Sequence, residues 1–350
     1  MRAFLHIGAG KTGTSSIQAA LARHREVLHE AGLHYPHGDK GQDLRSAAGG
    51  ISSGNGTLLA RYLFPNRSAR AFSREELEAW LDRAVADADG RDIVISNEML
   101  QSIRQPQLQE LKELLSARGV ETHIIFYMRH VLDWKLSAFA QHVKVGGLMR
   151  FPPEERNPDG YIASTTCAWP RQLGMIADTI GRDRMICRLY DAERTNLAAR
   201  FLDGIRPGLS AAVGTQVSQI SINRSPNLAE FALFAAANDQ PDARKVCGEL
   251  VDALLNSPSV VDSPGLGITQ ATFDAFAARM TPIVEKLSAS YLPAETPLKV
   301  TSGRIPIGEP QPVSVEQIAQ VAAAAFTYLS RDIRSKLEKQ RKERNAPRAA

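Results

Sequence analysis

Apolar residues in the first part of the chain follow two patterns that alternate. Short, nearly continuous apolar runs are typical of buried strands, whereas apolar residues three or four positions apart are typical of one face of a helix. The apolar runs lie at 3–7, 92–96, 120–128 and 184–190. Helical patterns separate them, and one of these opens with a capping box at Ser73 to Glu76. This alternation predicts an α/β fold, with a parallel sheet covered by helices on both faces.

The pattern becomes almost entirely helical after residue 205. Helical periodicity is present at 228–238, 243–256, 270–291 and 315–337, with proline-containing connectors between these stretches. We therefore expect three regions in the chain. They are an α/β core at 1–205, a mostly helical C-terminal portion at 206–330 that packs on the core, and a tail at 331–350.

Glycine, lysine and hydroxyl residues cluster directly after the first apolar run. The cluster comprises Gly8, Gly10, Lys11, Thr12, Gly13, Thr14, Ser15 and Ser16. A helical pattern follows at Ile17, Leu21 and Leu28, so the stretch is predicted to be a strand, a glycine-rich turn and a helix. Backbone N–H groups and the positive end of the helix dipole converge at such a turn and favour an anion such as phosphate. Lys11 adds a mobile positive charge, and the hydroxyls add donors.

The glycine cluster does not have the Walker A spacing, G-x-x-x-x-G-K-[ST]. Gly10, Lys11 and Thr12 match the end of that motif, but the position five residues before Gly10 is Leu5. A glycine-rich turn without a ligand is the other interpretation. Turn geometry alone, however, does not require a lysine and a run of hydroxyls.

Two more polar residues follow apolar runs. Glu98 comes just after 92–96, and Arg129 comes just after 120–128. Ligands of parallel α/β sheets bind beyond the carboxyl ends of the strands, so we expect Lys11, Glu98 and Arg129 to converge at one edge. Two polar stretches, at 37–57 and 148–167, are predicted to be loops, and the first is expected to be a lid on the substrate side.

The positive charge of the chain is concentrated in its C-terminal tail. The formal net charge is +4, whereas residues 331–350 hold eight Lys or Arg and three Asp or Glu. The rest of the chain is therefore close to neutral. A solvated helical end, a disordered tail, or contact with a membrane surface or a partner would explain the tail. The sequence contains no nucleic-acid-binding motif.

Cysteine usage and hydropathy favour a cytoplasmic protein. Cys167, Cys187 and Cys247 are scattered, which argues for reduced thiols and against a metal-ligand spacing or a disulfide framework. The chain does not begin with a charged segment followed by a long apolar run, and no apolar stretch approaches ~18 residues. We therefore expect neither a signal peptide nor a transmembrane helix.

Two motifs together resemble those of sulfotransferases that use 3′-phosphoadenosine 5′-phosphosulfate (PAPS). The string HIGAGKTGTSSIQ resembles the loop that cradles the 5′-phosphosulfate. In RHVLDWKLS, Arg129 and Ser137 have the spacing of the family's 3′-phosphate motif, an arginine at a strand end followed eight residues later by a helical serine. The usual Asn-Pro or Asp-Pro after the arginine is replaced here by His130-Val131. An arginine fork and a serine hydroxyl both suit phosphate oxygens.

The resemblance implies transfer of a sulfuryl group from PAPS to an acceptor hydroxyl. It also implies 3′,5′-bisphosphoadenosine (PAP) as product, no metal, and a fold like that of P-loop NTPases. The implied donor ligands are Gly10, Lys11, Thr12, Gly13, Thr14, Ser15 and Ser16 for the 5′-phosphosulfate, and Arg129 and Ser137 for the 3′-phosphate. Lys11 would neutralise charge that develops on the leaving oxygen.

The acceptor hydroxyl needs a general base, and the family uses a glutamate or a histidine. Glu98 is the candidate; the other interpretation is a carboxylate favoured by a helix N-terminus. His34, His37 and His142 are alternates, and His6 is predicted to be a buried strand residue. A carbohydrate or glycolipid is the expected acceptor, by analogy alone.

Two other functions remain open from the sequence. A P-loop kinase or NTPase would need the full Walker spacing and a metal-binding acid at a strand end, whereas Asp92 lies at the start of its apolar run. A non-catalytic nucleotide- or glycan-binding module would be expected to lack Lys11 or a base, and this chain has both.

Overall fold

The first part of the chain folds around a five-stranded, all-parallel sheet. The computed structural model describes residues 1–48, 53–67, 70–214, 224–309 and 312–345. The strands are β1 (Arg2–His6), β2 (Leu33–His34), β3 (Asp92–Ser96), β4 (Glu121–Met128) and β5 (Met185–Leu189). Their order is β2-β3-β1-β4-β5, and each neighbouring pair is parallel. The predicted α/β class is confirmed, with β1 at the centre of the sheet.

Helices form the connections between the strands and most of the rest of the chain. In chain order they are α1 (Thr14–Arg23), α2 (Arg25–Glu30), α3 (Lys40–Ala47), α4 (Thr57–Leu63), α5 (Arg74–Ala88), α6 (Gln105–Ser116), α7 (Val131–Lys144), α8 (Pro158–Ser164), α9 (Trp169–Ile180), α10 (Tyr190–Glu193), α11 (Leu197–Ile205), α12 (Leu209–Val213), α13 (Leu228–Ala237), α14 (Ala243–Leu254), α15 (Gln270–Tyr291) and α16 (Val315–Asn345). Short 3₁₀ helices lie at Pro65–Arg67, Glu98–Ser102, Leu148–Arg150, Pro153–Glu155, Arg182–Arg184 and Arg194–Asn196. Within the described residues, no helix combines the length and the apolar character that crossing a membrane requires.

Helices cover both faces of the sheet. On one face, Phe4, Val94 and Tyr127 belong to a buried cluster that includes residues of α1, α11 and α12. Phe126, next to Tyr127 in β4, points to the opposite face because successive strand residues alternate. There it packs edge-on against Trp169 of α9, with the ring centroids 6.1 Å apart. The strands are therefore buried on both sides, which explains their continuous apolar runs.

Some local elements differ from the prediction. The helix expected directly after the glycine-rich turn is two helices, α1 and α2, which meet at His24. The stretches predicted to be loops contain α3 and α8, each of which begins with a side-chain cap, from Asp39 and Asn157 respectively. Residues 49–52 of the expected lid lie outside the described residues, so the lid stays a prediction.

A buried asparagine completes the hydrogen bonding of β3 where β2 ends. β2 pairs with β3 over two residues only. Farther along β3, the Asn55 side chain accepts a hydrogen bond from the Ser96 N–H (2.8 Å) and donates to the Val94 carbonyl (2.9 Å) and the Pro36 carbonyl (3.2 Å). Asn55 is fully buried. Its amide thus replaces the missing strand and fixes the carboxyl end of β3, since buried backbone groups need partners.

Contacts divide the chain into two compact units. The first comprises Met1–Trp134, Thr166–Ile222 and Arg279–Ser302, and the second comprises Lys135–Thr165, Asn223–Ala278 and Gly303–Ala350. In the second unit, Phe139, Phe234, Leu250 and Val321 belong to one buried cluster between helices. The mostly helical character of the C-terminal portion is confirmed, and α16 continues eight residues beyond the predicted end at 337. The sequence-based boundaries at 205 and 330 stay predictions.

Replacing Asn55 by Ala should destabilise the protein by about 2–4 kcal/mol, because buried backbone groups at Ser96 and Val94 lose their partners at about 1–3 kcal/mol each. Urea denaturation measures the free energy of unfolding. Asn66→Ala, at an exposed asparagine, is the matched control and should stay within about 0.5 kcal/mol of the wild type. Equal urea midpoints for Asn55→Ala and the wild type would contradict the role given to Asn55.

Candidate functional site

The glycine-rich turn lies between β1 and α1, at the carboxyl edge of the sheet. Lys11 has φ 69° and Gly13 has φ 77°, both in the left-handed region. That conformation is natural for glycine and strained for lysine, and such strain is typical of functional loops. Gly13 precedes α1 without a side-chain cap. The first amides of the helix, at Thr14 and Ser15, have no acceptor within the helix and are available in principle to an anion.

Other side chains lie very close to two glycines of the turn. A Cβ added at Gly10 would lie 2.9 Å from Glu98 Oε1, and one added at Gly13 would collide with Leu197 Cδ2. Any larger residue would therefore push Glu98 or α11 away. The turn is consequently compact, with bare backbone at both positions.

Hydrogen bonds hold the turn in place from several sides. The Gly10 N–H donates to Gln101 Oε1 at 2.9 Å, and Trp134 Nε1 donates to the Gly10 carbonyl at 3.0 Å. The Thr12 hydroxyl, which is completely buried, donates to the Ala9 carbonyl at 2.6 Å. The Ser16 N–H donates to the Gly13 carbonyl at 3.0 Å. The Thr12 hydroxyl and the Ser16 amide thus brace the turn rather than point outward as donors.

Arg129 lies at the end of β4 and joins the two sequence motifs. Its Nη1 donates to the Lys11 carbonyl at 3.0 Å, and its guanidinium lies over the Tyr190 ring at 5.4 Å. Its Nε is buried and has no hydrogen-bond partner among the described residues. The structure therefore brings Arg129 against the glycine-rich turn, as expected for parallel strands that end at the same edge. Ser137 lies half-buried on α7.

Glu98 reaches the same turn from the end of β3. It begins a short 3₁₀ helix whose N-cap, Asn97, accepts from the Met99 N–H at 2.8 Å. The Glu98 side chain is solvent-exposed, and its Oε2 accepts a long, 3.4 Å hydrogen bond from the Thr14 hydroxyl. Glu98 thus fits both interpretations, since it begins a short helix and its carboxylate also lies beside the turn.

The surroundings of Lys11 disfavour the charged form of its side chain. Burial lowers the pKa of Lys11, the Arg129 charge lowers it further, and Glu98 raises it. Two cationic side chains therefore lie close together, with one exposed carboxylate to balance them. Because a nearby opposite charge favours the ionised form, an anion bound at the turn would stabilise protonated Lys11.

The segment after β5 positions Arg129, a role that was not predicted from the sequence. Asp191 Oδ2 accepts from the His130 N–H at 2.9 Å, directly after Arg129. Glu193 accepts from the Tyr127 hydroxyl at 2.8 Å and from Arg188 Nε at 2.6 Å. Acidic residues just past a strand end are the sequence signal that could have indicated these anchors. Asp191 thus holds the backbone after Arg129, and Glu193 holds the Tyr127 side chain two residues before it.

Three of the histidines, His6, His34 and His37, have partners outside the glycine-rich turn. His6 is fully buried, its Nδ1 lies 2.9 Å from Ser96 Oγ, and burial lowers its pKa to about 3, so it is neutral near pH 7. His34 pairs with His29 through their Nδ1 atoms at 3.1 Å, and burial lowers the pKa of His34 to about 4. His37 pairs with Asp43 at 3.0 Å. His142 lies in the second unit, and burial lowers its pKa.

A cavity of about 850 Å³ runs along the edge strand β5. Its lining includes Arg182, Arg188, Arg200 and Tyr291. Arg182 donates to the Ser290 carbonyl, and Arg188 pairs with Glu193. Lys11, Glu98 and Arg129 do not line this cavity. Lys11 and Arg129, which are predicted to bind PAPS, therefore lie at the carboxyl edge of the sheet and not in this cavity.

The similarity of this chain to known proteins is low. No family model matches the chain, and no curated protein matches it. Among solved structures, a match is to a crystal structure titled as a sulfotransferase from Alicyclobacillus acidocaldarius. It is 13% identical, covers 68% of this chain and 92% of that chain, and has a TM-score of 0.36. A likeness at this level does not transfer ligands or residue roles to this chain.

Proposed function

We propose that the chain is a PAPS-dependent sulfotransferase that moves a sulfuryl group to an acceptor hydroxyl. The hydrogen bond from Arg129 Nη1 to the Lys11 carbonyl carries the proposal. It joins the two motifs that resemble the 5′-phosphosulfate loop and the 3′-phosphate motif of that family. A donor with phosphates at both positions needs two anion sites at a fixed separation, and this contact supports such a pair because it holds Arg129 beside the glycine-rich turn.

The residues present fit a bisphosphorylated nucleotide. The buried Arg129 Nε lacks a partner among the described residues, so one donor of a guanidinium fork remains for a phosphate oxygen. Lys11 is a cation whose pKa is lowered by burial, and it gains from the arrival of negative charge. Gly13, with its positive φ, ends the turn directly before α1, so the first amides of that helix lie at the turn, where phosphate is favoured. The resemblance adds the Ser137 hydroxyl as a second ligand of the 3′-phosphate, beside the Arg129 guanidinium.

Each side chain has a distinct role in this proposal. PAPS supplies the activated sulfuryl group when it is bound. Lys11 neutralises charge that develops on the leaving oxygen, which is the type of stabilisation that dominates phosphoryl transfer as well. The amides at the start of α1 hold the 5′-phosphate, and Arg129 holds the 3′-phosphate. Fixed geometry at both ends lowers the entropy cost of an in-line reaction.

Glu98 is the proposed general base. Its exposed carboxylate lies beside the turn, within 3.4 Å of the Thr14 hydroxyl, so an acceptor can reach it from solvent. The proton of the acceptor hydroxyl passes to Glu98 while the acceptor oxygen bonds to sulfur. The bond between sulfur and the 5′-phosphate oxygen breaks, and PAP leaves. The buried and paired histidines described above favour Glu98 over His6, His34 and His37 for this role. A carbohydrate or glycolipid acceptor is proposed by analogy with the family alone.

Isothermal titration calorimetry with PAP and with ATP plus Mg²⁺ tests the proposed donor. We expect PAP to bind at least about tenfold more tightly than ATP, a difference of about 1.4 kcal/mol. Tight binding of ATP with Mg²⁺ but not of PAP would favour a kinase instead.

Lys11→Ala should lower turnover of labelled PAPS by about 10²–10³, because it removes charge stabilisation at the reacting centre. Lys286→Ala, at an exposed lysine of α15, is the control and should leave turnover unchanged.

Glu98→Gln should lower kcat by about 10²–10⁴ while the affinity for PAP stays close to that of the wild type, because the amide keeps the shape but cannot accept the proton. Calorimetry and a turnover assay separate the two effects. Glu26→Gln, which changes a carboxylate in the first turn of α2, is the matched control. Loss of PAP affinity with little further loss of turnover would instead assign Glu98 to support of the turn.

A further inference from the structure

Helix α16 buries one side and leaves another open to solvent. Val321 and Ala325 are buried in the cluster that includes Phe234 of α13 and Leu250 of α14. These residues attach the N-terminal half of α16 to the second unit. Beyond Ser330, all of the residues up to Glu338 except Asp332 are exposed, so the helix continues past the core that supports its first half.

Large apolar side chains lie exposed on this continuation. Phe326 is 73% exposed, Ile333 is 58% exposed and Leu337 is 55% exposed. The spacings of seven and four residues place the three on one side of the helix, since residues at these intervals lie above one another. We call these three residues the apolar stripe. Exposed apolar surface of this kind marks an interaction site more often than isolated surface residues do.

Positive charge accompanies the apolar stripe. Residues 331–345 of α16 contain seven Lys or Arg and three Asp or Glu, a net charge of +4. Residues 1–330 contain 34 Lys or Arg and 35 Asp or Glu, so their net charge is −1. Arg331 and Arg334 are exposed, and Lys336 pairs with Asp332 at 2.6 Å. The continuation of α16 is thus a basic region attached to a nearly neutral protein.

We propose that residues 326–345 of α16 bind the surface of a bilayer rich in anionic phospholipid. A helix with an apolar stripe and many basic residues lies in the interface, with its apolar side at the boundary between headgroups and acyl chains. Basic residues near the surface add attraction to anionic headgroups, and long cationic side chains extend toward them. The inference does not depend on the proposed sulfuryl transfer.

Two other occupants fit the stripe less well. A second copy of the chain would bring two regions of net charge +4 together, and three side chains supply only part of the roughly 800 Å² per partner that a stable dimer buries. A protein groove that accepts a helix needs anchors at i, i+3 or i+4, and i+7. In α16 the position four residues after Phe326 is Ser330, and the position three residues after it is Leu329, which is half-buried. A fluid lipid surface needs no such spacing.

Vesicle flotation of the 350-residue chain tests this proposal. The vesicles are phosphatidylcholine alone, or phosphatidylcholine with about one third phosphatidylglycerol, a composition that carries the negative surface potential required. We expect at least tenfold more protein on the anionic vesicles at 0.1 M NaCl. At 0.5 M NaCl the bound fraction should fall several-fold, because salt screens exposed charges.

Variants of the stripe and of the basic residues separate the two contributions. Phe326→Ser with Ile333→Ser and Leu337→Ser should lower binding about tenfold, as should Arg331→Gln with Arg334→Gln. Tyr328→Ser, at a 43% exposed aromatic residue about 200° around the helix from Phe326, is the matched control and should bind like the wild type. Circular dichroism and thermal unfolding check that each variant is folded.

Three outcomes would overturn the proposal. The first is equal binding to both vesicle types, and the second is wild-type binding by the stripe variant. The third is absence of vesicle binding together with a dimer, detected by size-exclusion chromatography with light scattering, that the stripe variant converts to a monomer. That third result would assign the stripe to self-association.

Discussion

The hydrogen bond between the Arg129 guanidinium and the Lys11 carbonyl is the interaction on which the rest of the candidate site depends. It exists because β1 and β4 are parallel neighbours, so residues just past their ends meet although they are more than a hundred positions apart in sequence. β3, the other neighbour of β1, brings Glu98 to the same place. The order of the strands therefore determines which polar residues can act together.

Several features of this arrangement are energetically unfavourable. Lys11 has a left-handed backbone conformation, its pKa is lowered by burial, and Arg129 adds a second positive charge nearby. The surroundings supply the compensation. Asp191 holds the backbone after Arg129, Glu193 holds the Tyr127 side chain before it, and hydrogen bonds on Gly10 fix the turn. Strain and like charges that are held in place by neighbours are typical of sites that bind an anion.

Much of the fold could be predicted from the sequence, and the exceptions have physical reasons. β1, β3, β4 and β5 are buried on both faces, so their apolar runs are easily recognised. β2 has only two residues, too few to show a period. The Asn55 side chain makes hydrogen bonds to β3 that a longer β2 would make. α3 is almost entirely polar and is signalled only by its cap, Asp39.

The candidate site was predictable to a similar extent. Lys11, Glu98 and Arg129 could be placed because each follows a recognisable strand. Asp191 and Glu193 could have been suspected from their place just past the end of β5, but their partners, the His130 N–H and the Tyr127 hydroxyl, follow from packing that no local pattern encodes. The burial of the Thr12 hydroxyl likewise follows from packing, since a threonine in a glycine-rich turn can face either way.

The most direct test of the central claim is the affinity of an Arg129→Ala variant for PAP and for AMP, which lacks the 3′-phosphate. If Arg129 binds the 3′-phosphate beside the turn, the variant should bind PAP at least about tenfold more weakly than the wild type, a loss of about 1.4 kcal/mol. Its affinity for AMP should stay close to the wild-type value. An equal loss of affinity for both nucleotides would contradict the account, because Arg129 would then serve only to support the Lys11 backbone.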